Sequence, residues 1–423
     1  MIRIVLIRHG RTAWNMVDGP GQRFRGTVDL PVAGEGIEQA AITAKRLDIL
    51  PLAAVYCSPL QRAVHTARII AGAHGLAPQP LPGLATMNYG DWAGLTYAEV
   101  AQRWPDLFRQ WTHDPFPVQI PGGESTTALR NRATEEVRRL LARHSPGDTV
   151  AIISHQAVTK SLVCAMAGLP NTAYWQIRQD LCNLSLFDYD PTSDRFSVVG
   201  LNDTWHLSPA LSRSGDGTRI LLVRHGQTGW NEGAGQERFR GRTDLPLDDT
   251  GQAQARALAT RLLGEPISAL YASPLLRARQ TLRPFADQSG ASIVPHDGLI
   301  DINYGQFQGL THAEAMAAFP QAYTQWRTAP RDVRFPAGEG LADVQHRLLS
   351  LLDMLAARHP RQTVVLAGHQ IVNKVLACTL LGLDLNQIWR VQQDTAGLDL
   401  FQRVDGQWHT LCLNDTCHLA GIP

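Results

Sequence analysis

Ile2-Arg3-Ile4-Val5-Leu6-Ile7-Arg8-His9-Gly10-Arg11-Thr12-Ala13-Trp14-Asn15 opens the chain, and its reading decides the fold. An apolar run, interrupted only by Arg3, ends in Arg8-His9-Gly10, which suits a strand buried on both faces with a polar tip at its carboxyl end. The stretch then returns. Ile220 to Val223 leads into Arg224-His225-Gly226-Gln227-Thr228-Gly229-Trp230-Asn231, 216 residues after the first arginine. The echo holds in order along the whole chain. Ser58-Pro59-Leu60-Gln61-Arg62-Ala63 answers to Ser273-Pro274-Leu275-Leu276-Arg277-Ala278, His155-Gln156 to His369-Gln370, and Leu201-Asn202-Asp203-Thr204 to Leu413-Asn414-Asp415-Thr416.

A repeat this long is a tandem pair of globular domains and no solenoid. The 423 residues fit two domains, and 44% apolar content gives each an ordinary core. The sequence predicts domains at 1–208 and 218–423, with 209–217, free of apolar periodicity, as the linker. A net charge of +1 gives no footprint for nucleic acid or a membrane surface. The six cysteines are scattered, and Cys57 and Cys164 sit in apolar runs as small core residues. With no signal peptide and no long apolar segment, the expectation is a soluble, reduced, cytoplasmic protein.

Working outward, short apolar runs alternate with amphipathic stretches. The first half reads as strands over Ile2–Ile7, Ala53–Cys57 and Thr149–Ser154. Helices are expected over Gly36–Leu47, Pro59–Ala73, Ser125–Arg143 and Gln156–Ala167. Two runs around Asp190-Pro191-Thr192-Ser193-Asp194 form a closing hairpin. The second half repeats the order. The expected class is α/β: two tandem copies of a three-layer domain, each a mostly parallel sheet flanked by helices.

Ligands bind outside the carboxyl ends of strands in such sheets. The strand tips therefore bring Arg8, His9, Arg62 and His155 to one point, and Arg224, His225, Arg277 and His369 to another. Paired guanidiniums and imidazoles suit an anion with three or four oxygens, because the arginine fork matches phosphate. The glycine after each histidine is read as admitting a ligand close to the backbone. Histidines without a counterpart in the other copy (His65, His74, His113, His296, His312, His346) are read as ordinary surface or core residues. His144 with His359, and His206 with His418, are read as structural.

Arg-His-Gly-x-Thr-x-x-Asn, Ser-Pro-Leu-x-Arg-Ala and a late Ser-His or Gly-His together resemble the histidine phosphatase superfamily, the group of phosphoglycerate mutases and related phosphatases. The resemblance covers essentially all of both halves. It implies that His225 and His9 are nucleophiles that become transiently phosphorylated. It also implies that Arg224, Arg277 and His369, like Arg8, Arg62 and His155, hold the phosphoryl group. Neither a metal nor a cofactor is called for on this reading. The family's general acid falls at Asp301 in Leu299-Ile300-Asp301, whereas Leu84-Ala85-Thr86 puts a threonine there in the first copy, which is expected to be impaired. Asp91 is a conceivable substitute.

Around these cores, Asn15, Asn231, Gln156 and Gln370 are expected to touch substrate. The glycine-rich stretches Asp18–Gly26 and Gly233–Gly241 offer Arg23 and Arg25, and Arg238 and Arg240, of which Arg23 and Arg238 are taken as substrate-binding. Ser125 or Glu124 is expected to cap the long helix. Lys160 and Lys374, two of only three lysines, are expected on a helix flank outside the site. The function expected is hydrolysis of small phosphorylated metabolites. Two alternatives stand beside it: a bisphosphoglycerate-dependent mutase, disfavoured by the short segment from Asp301 to Gly338, and a first half that only binds phosphate. Oligomeric state stays open, with an intramolecular pseudo-dimer as one arrangement.

Overall fold

A computed structural model describes residues 1–15, 22–208, 217–231 and 237–422. The chain divides into two compact units, Met1–Ser208 and Pro209–Pro423. Most of the expected linker, and parts of both glycine-rich stretches, lie outside the described residues.

The first unit runs β1 (Ile2–Arg8), α1 (Gly34–Leu47), β2 (Leu52–Cys57), α2 (Gln61–Ala73), β3 (Pro78–Pro80), α3 (Tyr97–Arg103), α4 (Pro105–His113), α5 (Thr126–Leu141), β4 (Thr149–Ser154), α6 (Gln156–Ala167), β5 (Leu184–Asp190) and β6 (Arg195–Asp203). Its strands lie in the order β3-β2-β4-β1-β5-β6. The first four are parallel, while β5 joins β1 antiparallel and turns back as the β5–β6 hairpin. Val5, Ile7, Val55, Cys57, Ala151 and Ile153 pack on one face with Ala44, Leu47, Ala63, Ala67 and Ile70 of α1 and α2. Ile4, Leu6, Val150 and Ile152 alternate with them and are equally inaccessible, so both faces are covered. That is why the strands read as continuous apolar runs.

The second unit repeats this with β7 (Arg219–Arg224), α7 (Asp249–Leu262), β8 (Ile267–Ala272), α8 (Leu276–Ser289), β9 (Ile293–Pro295), α9 (His312–Ala318), α10 (Pro320–Thr328), α11 (Leu341–Arg358), β10 (Thr363–Gly368), α12 (Gln370–Leu381), β11 (Leu398–Val404) and β12 (Gln407–Asp415). Its order is β9-β8-β10-β7-β11-β12, with the same parallel and antiparallel pairings.

Two helices per unit, α3 and α4 and their counterparts α9 and α10, are not signalled by apolar periodicity. Capping explains their starts. Thr96 and Thr311 each form a reciprocal capping box, with Glu99 and Glu314, and Pro105 and Pro320 open the next helix at a position where proline costs nothing. At α5 the cap is Ser125, which accepts from the Ala128 N–H at 3.1 Å. Glu124 instead takes the Asn88 N–H at 2.8 Å and pairs with Arg132.

Gly10 and Gly226 have a reason different from the one read in the sequence. A Cβ on Gly10 would stand 2.5 Å from the Gly36 carbonyl oxygen, and one on Gly226 2.7 Å from that of Gly251. The glycine lets the strand tip pass against the first turn of α1 or α7. It makes room for backbone and not for a ligand.

Candidate active site

In the second unit the parallel ladder runs past the strand ends and fixes the tips. The His225 N–H donates to the Gly368 carbonyl at 3.0 Å and the Ser273 N–H to that of Ala367 at 2.9 Å. Arg224, His225, Arg277 and His369 meet there, and all four are buried. His225 Nδ1 lies 2.7 Å from its own glycine's carbonyl oxygen, Gly226 O, which can only accept. Nδ1 therefore carries the proton and Nε2 keeps its lone pair. Burial, then Arg277 and Arg224, hold the imidazole well below its ordinary pKa, so it is neutral at neutral pH.

Arg277 is fully buried and uses every nitrogen. Its Nη1 donates to Thr243 O at 2.8 Å, Nη2 to Gly241 O at 2.8 Å and to Asp301 Oδ2 at 3.1 Å, and Nε to His369 Nδ1 at 3.2 Å. Accepting at Nδ1 makes His369 a donor at Nε2, which faces Ser273 Oγ at 2.8 Å. The rings of His225 and His369 sit 5.2 Å apart. Arg224 donates through Nη1 to Gln393 O at 2.7 Å, and burial beside Arg240 draws it down to about 10. Its Nε, and Nη1 of Arg240, are buried donors without a hydrogen-bond acceptor among the described residues. Two orphaned guanidinium donors in a cationic pocket make a receptor for an oxyanion.

The first unit matches this closely. His9 Nδ1 lies 2.8 Å from Gly10 O, Arg62 Nε 3.2 Å from His155 Nδ1, and His155 Nε2 2.7 Å from Ser58 Oγ. Arg8 donates to Gln179 O at 2.8 Å, and Arg8 Nε and Arg25 Nη1 are the orphaned donors. Arg62 keeps the two main-chain acceptors, here Val28 O and Gly26 O, and lacks only the carboxylate.

The units differ where the second has Asp301 and the first has Thr86. Asp301 is 7% exposed and lines the cavity of its unit, with Oδ1 accepting the Ile302 N–H at 2.9 Å. Burial raises its pKa even against the pull of Arg277. Thr86 lines the first cavity at the matching place. Asp91 is exposed and does not line that cavity, so it offers no substitute. The cavity volumes are about 60 Å³ in the first unit and about 250 Å³ in the second. Tyr97 and Tyr174 line the smaller one, where the second unit has His312 at the first position and Ile388 at the second.

Several sequence expectations change here. Asn15 and Asn231 spend Oδ1 on the N–H and hydroxyl of Thr12 and Thr228, between 2.8 and 3.0 Å, and so shape the loop. Arg23 and Arg238 do line the cavities, donating to Gly94 O and Gly309 O at 2.7 Å, and Arg25 and Arg240 join them as the arginines next to the imidazoles. Gln156 and Gln370 do line the cavities. So do Lys160 and Lys374, both buried, contrary to the helix-flank reading. The reason is that α6 and α12 are apolar nearly all round, so no solvated flank exists for them. His312 lines the second cavity as well, packed 4.9 Å from the Phe239 ring. The capping box of α9, in which it is the first residue, is the available signal.

His144 and His359 are structural, bonded to Tyr56 and Tyr271 hydroxyls at 2.9 Å. His206 and His418 each approach a main-chain carbonyl, at 3.1 and 3.0 Å.

The family model described as the histidine phosphatase superfamily (branch 1) matches residues 4–204 and again 220–416. The chain belongs to this superfamily. Phosphoserine phosphatase 1 of Hydrogenobacter thermophilus is 33% identical over 202 residues, 48% of this chain and 94% of that protein. The adenosylcobalamin/alpha-ribazole phosphatase of Escherichia coli (strain K12) is 31% identical over 179 residues, 42% of this chain and 86% of its own. Among solved structures, Bacillus stearothermophilus YhfR is 30% identical and covers 49% of this chain and 100% of its own, with a TM-score of 0.45. No helix among the described residues is long and apolar enough to cross a membrane.

Proposed function

We propose that this protein hydrolyses phosphomonoesters of small metabolites through a phosphohistidine, with the second unit as the principal catalyst. The observation that carries this reading is His225. Its proton is held at Nδ1 by Gly226 O, leaving a neutral Nε2 beside two orphaned guanidinium donors and a buried carboxyl. Nε2 attacks phosphorus, the bond to the alkoxide breaks, and Asp301, whose pKa burial raises, gives that oxygen its proton. Water then attacks the phosphohistidine, Asp301 takes up the water's proton, and phosphate leaves. Arg224, Arg277, Arg240 and His369 stabilise charge on the equatorial oxygens. Arg8, Arg62 and His155 do the same around His9.

The first unit supports a second reading. With Thr86 in place of the acid and a cavity about a quarter the size, it binds phosphate and turns over esters slowly. We place the protein in the cytoplasm, a reading supported by six cysteines that form no disulfide.

Phosphoenzyme trapping tests the assignment. Rapid acid-free quench and mass spectrometry of the full chain should find phosphate on His225. His225→Ala should remove most turnover, and His9→Ala only a small part. A larger loss from His9→Ala would reverse the ranking of the two units.

A further inference from the structure

Arg224 is aimed by a single bond. Among the described residues the only acceptor its guanidinium reaches is Gln393 O, at 2.7 Å. Gln393 opens a turn that also carries the strand tip. Gly397 O accepts the Arg224 N–H at 3.2 Å, and the Ala396 N–H donates to Arg224 O at 3.0 Å. Ala396 sits in the left-handed region, at φ +55°, with only a methyl group. Such backbone is strained for alanine and persists only where its surroundings over-determine it.

The repeated Leu413-Asn414-Asp415-Thr416 and the histidine two residues on supply those surroundings. Asn414 is buried, and its side chain bonds the turn twice. Its Oδ1 accepts the Asp394 N–H at 2.8 Å, and its Nδ2 donates to Asp394 Oδ2 at 2.9 Å. The Asn414 N–H donates to Asp399 Oδ1 at 2.7 Å, and the same carboxylate takes Gln393 Nε2 at 3.0 and 2.8 Å. His418 Nε2 lies 3.0 Å from Ala396 O, which can only accept, so that nitrogen carries the proton. Asn414 is itself left-handed, at φ +51°, a conformation asparagine adopts more readily than other side chains.

The first unit builds the same brace on a different floor. The Cys182 N–H donates to Arg8 O at 2.9 Å, with Cys182 left-handed at φ +54°. Asn202 Oδ1 accepts the Asp180 N–H at 2.7 Å, its Nδ2 reaches Asp180 Oδ2 at 3.0 Å, and His206 Nε2 faces Cys182 O. Beneath them Ser185 Oγ takes the Asn202 N–H and Gln179 Nε2, both at 3.0 Å, in the role that Asp399 has in the second unit.

We propose that Asn414, with His418 behind it, is a positioning residue of the second active site: it clamps the 393–397 turn and so aims Arg224 at the phosphoryl group. Asn202 does the same for Arg8. The proposal rests on the phosphatase reading above.

A double-mutant cycle in the full-length protein carrying His9→Ala tests this, read as kcat/KM for p-nitrophenyl phosphate and as affinity for orthovanadate. In Asn414→Gly the left-handed backbone stays free of strain, so only the side-chain bonds are lost. Both readings should fall by about 10- to 100-fold, the cost of a misplaced catalytic group. In an Arg224→Met background the same change should cost less than about twofold, because the group it aims is gone. Equal losses in the two backgrounds would overturn the proposal and leave Asn414 a support of the fold alone, as would an Asn414→Gly protein within about twofold of its parent. If Asn414→Gly does not fold, His418→Ala carries the same cycle. Its expected fall is about threefold, one lost hydrogen bond, and His418→Gln should recover most of it by offering an N–H to Ala396 O. A parent that binds orthovanadate yet hydrolyses no ester would sink the phosphatase reading alone, with the cycle then decided by orthovanadate affinity.

Discussion

Replacing Asp301 by threonine gives the second unit the first unit's composition at the acid position. The substitution should leave the pocket standing. Arg277 would keep Thr243 O, Gly241 O and His369 Nδ1, the same set that Arg62 retains through Val28 O, Gly26 O and His155 Nδ1 with no carboxylate present. What disappears is a buried carboxyl, its pKa raised by burial, in the place proposed for the proton donor. Loss of general acid catalysis costs about 10² to 10⁴ in rate, or roughly 3 to 5 kcal/mol of barrier. That full loss should appear with an alkyl phosphate, whose alkoxide cannot leave unprotonated. With p-nitrophenyl phosphate the drop should stay below about tenfold, because the nitrophenolate departs as a stable anion. The assay is kcat/KM on both substrates for the full chain and for Asp301→Thr, with Thr86→Asp as the reciprocal gain. Wild-type turnover of the alkyl ester should also fall as pH rises through the Asp301 pKa, and the variant should lose that limb. Equal slowing of both substrates would refute the reasoning and make Asp301 a prop for Arg277.

Two further outcomes concern the rest of the molecule. Asp399 is fully buried, and burial raises it from 3.8 to about 7, so between those values the folded state holds a proton that the unfolded chain has lost. The second unit should therefore lose stability as pH rises across that window, by on the order of 4 kcal/mol, with no further loss above it. Asp399→Ser, which copies Ser185 of the first unit, should flatten the profile of urea midpoints at pH 5 and pH 8, and an unchanged profile would clear Asp399. Cys57, Cys164, Cys182 and Cys378 are buried with thiols pushed up to about 12, so a thiol reagent on the native protein should modify no more than Cys412 and Cys417. Modification of the four buried thiols without unfolding would contradict their burial.

The parallel sheet and the clustering of side chains at its strand tips are legible because a strand buried on both faces writes itself as an apolar run, and its end as an abrupt change to Arg8-His9 or Arg224-His225. The duplication removes chance from that reading. Features that depend on packing outside the sheet are not legible in the same way. Arg23 and Arg25 are two positions apart in sequence, and only the fold tells which faces the imidazole. Lys160 reads as a surface residue because lysine usually is one. Ala157-Val158 and Leu162-Val163, two residues away on either side in α6, are the contrary signal. Gly10 suggests a ligand because the sequence shows a glycine's chain neighbours and hides the α1 turn that crosses it. The α3 and α4 helices are short and aromatic, with Trp111 inside a cluster of rings, so periodicity is a poor guide there and the capping box a better one.

The unequal volumes of the two cavities bear on how the protein would look to an enzymologist. Two sites on one chain, each with its own KM and turnover, give a rate that is the sum of two hyperbolas. Fitted as one, that curve has a Hill coefficient below unity and imitates negative cooperativity, although neither site need sense the other. A small ester that enters both cavities would show the distortion. A bulkier one, admitted only by the roomier cavity, would obey a single hyperbola, and the shape of the saturation curve would then report substrate size.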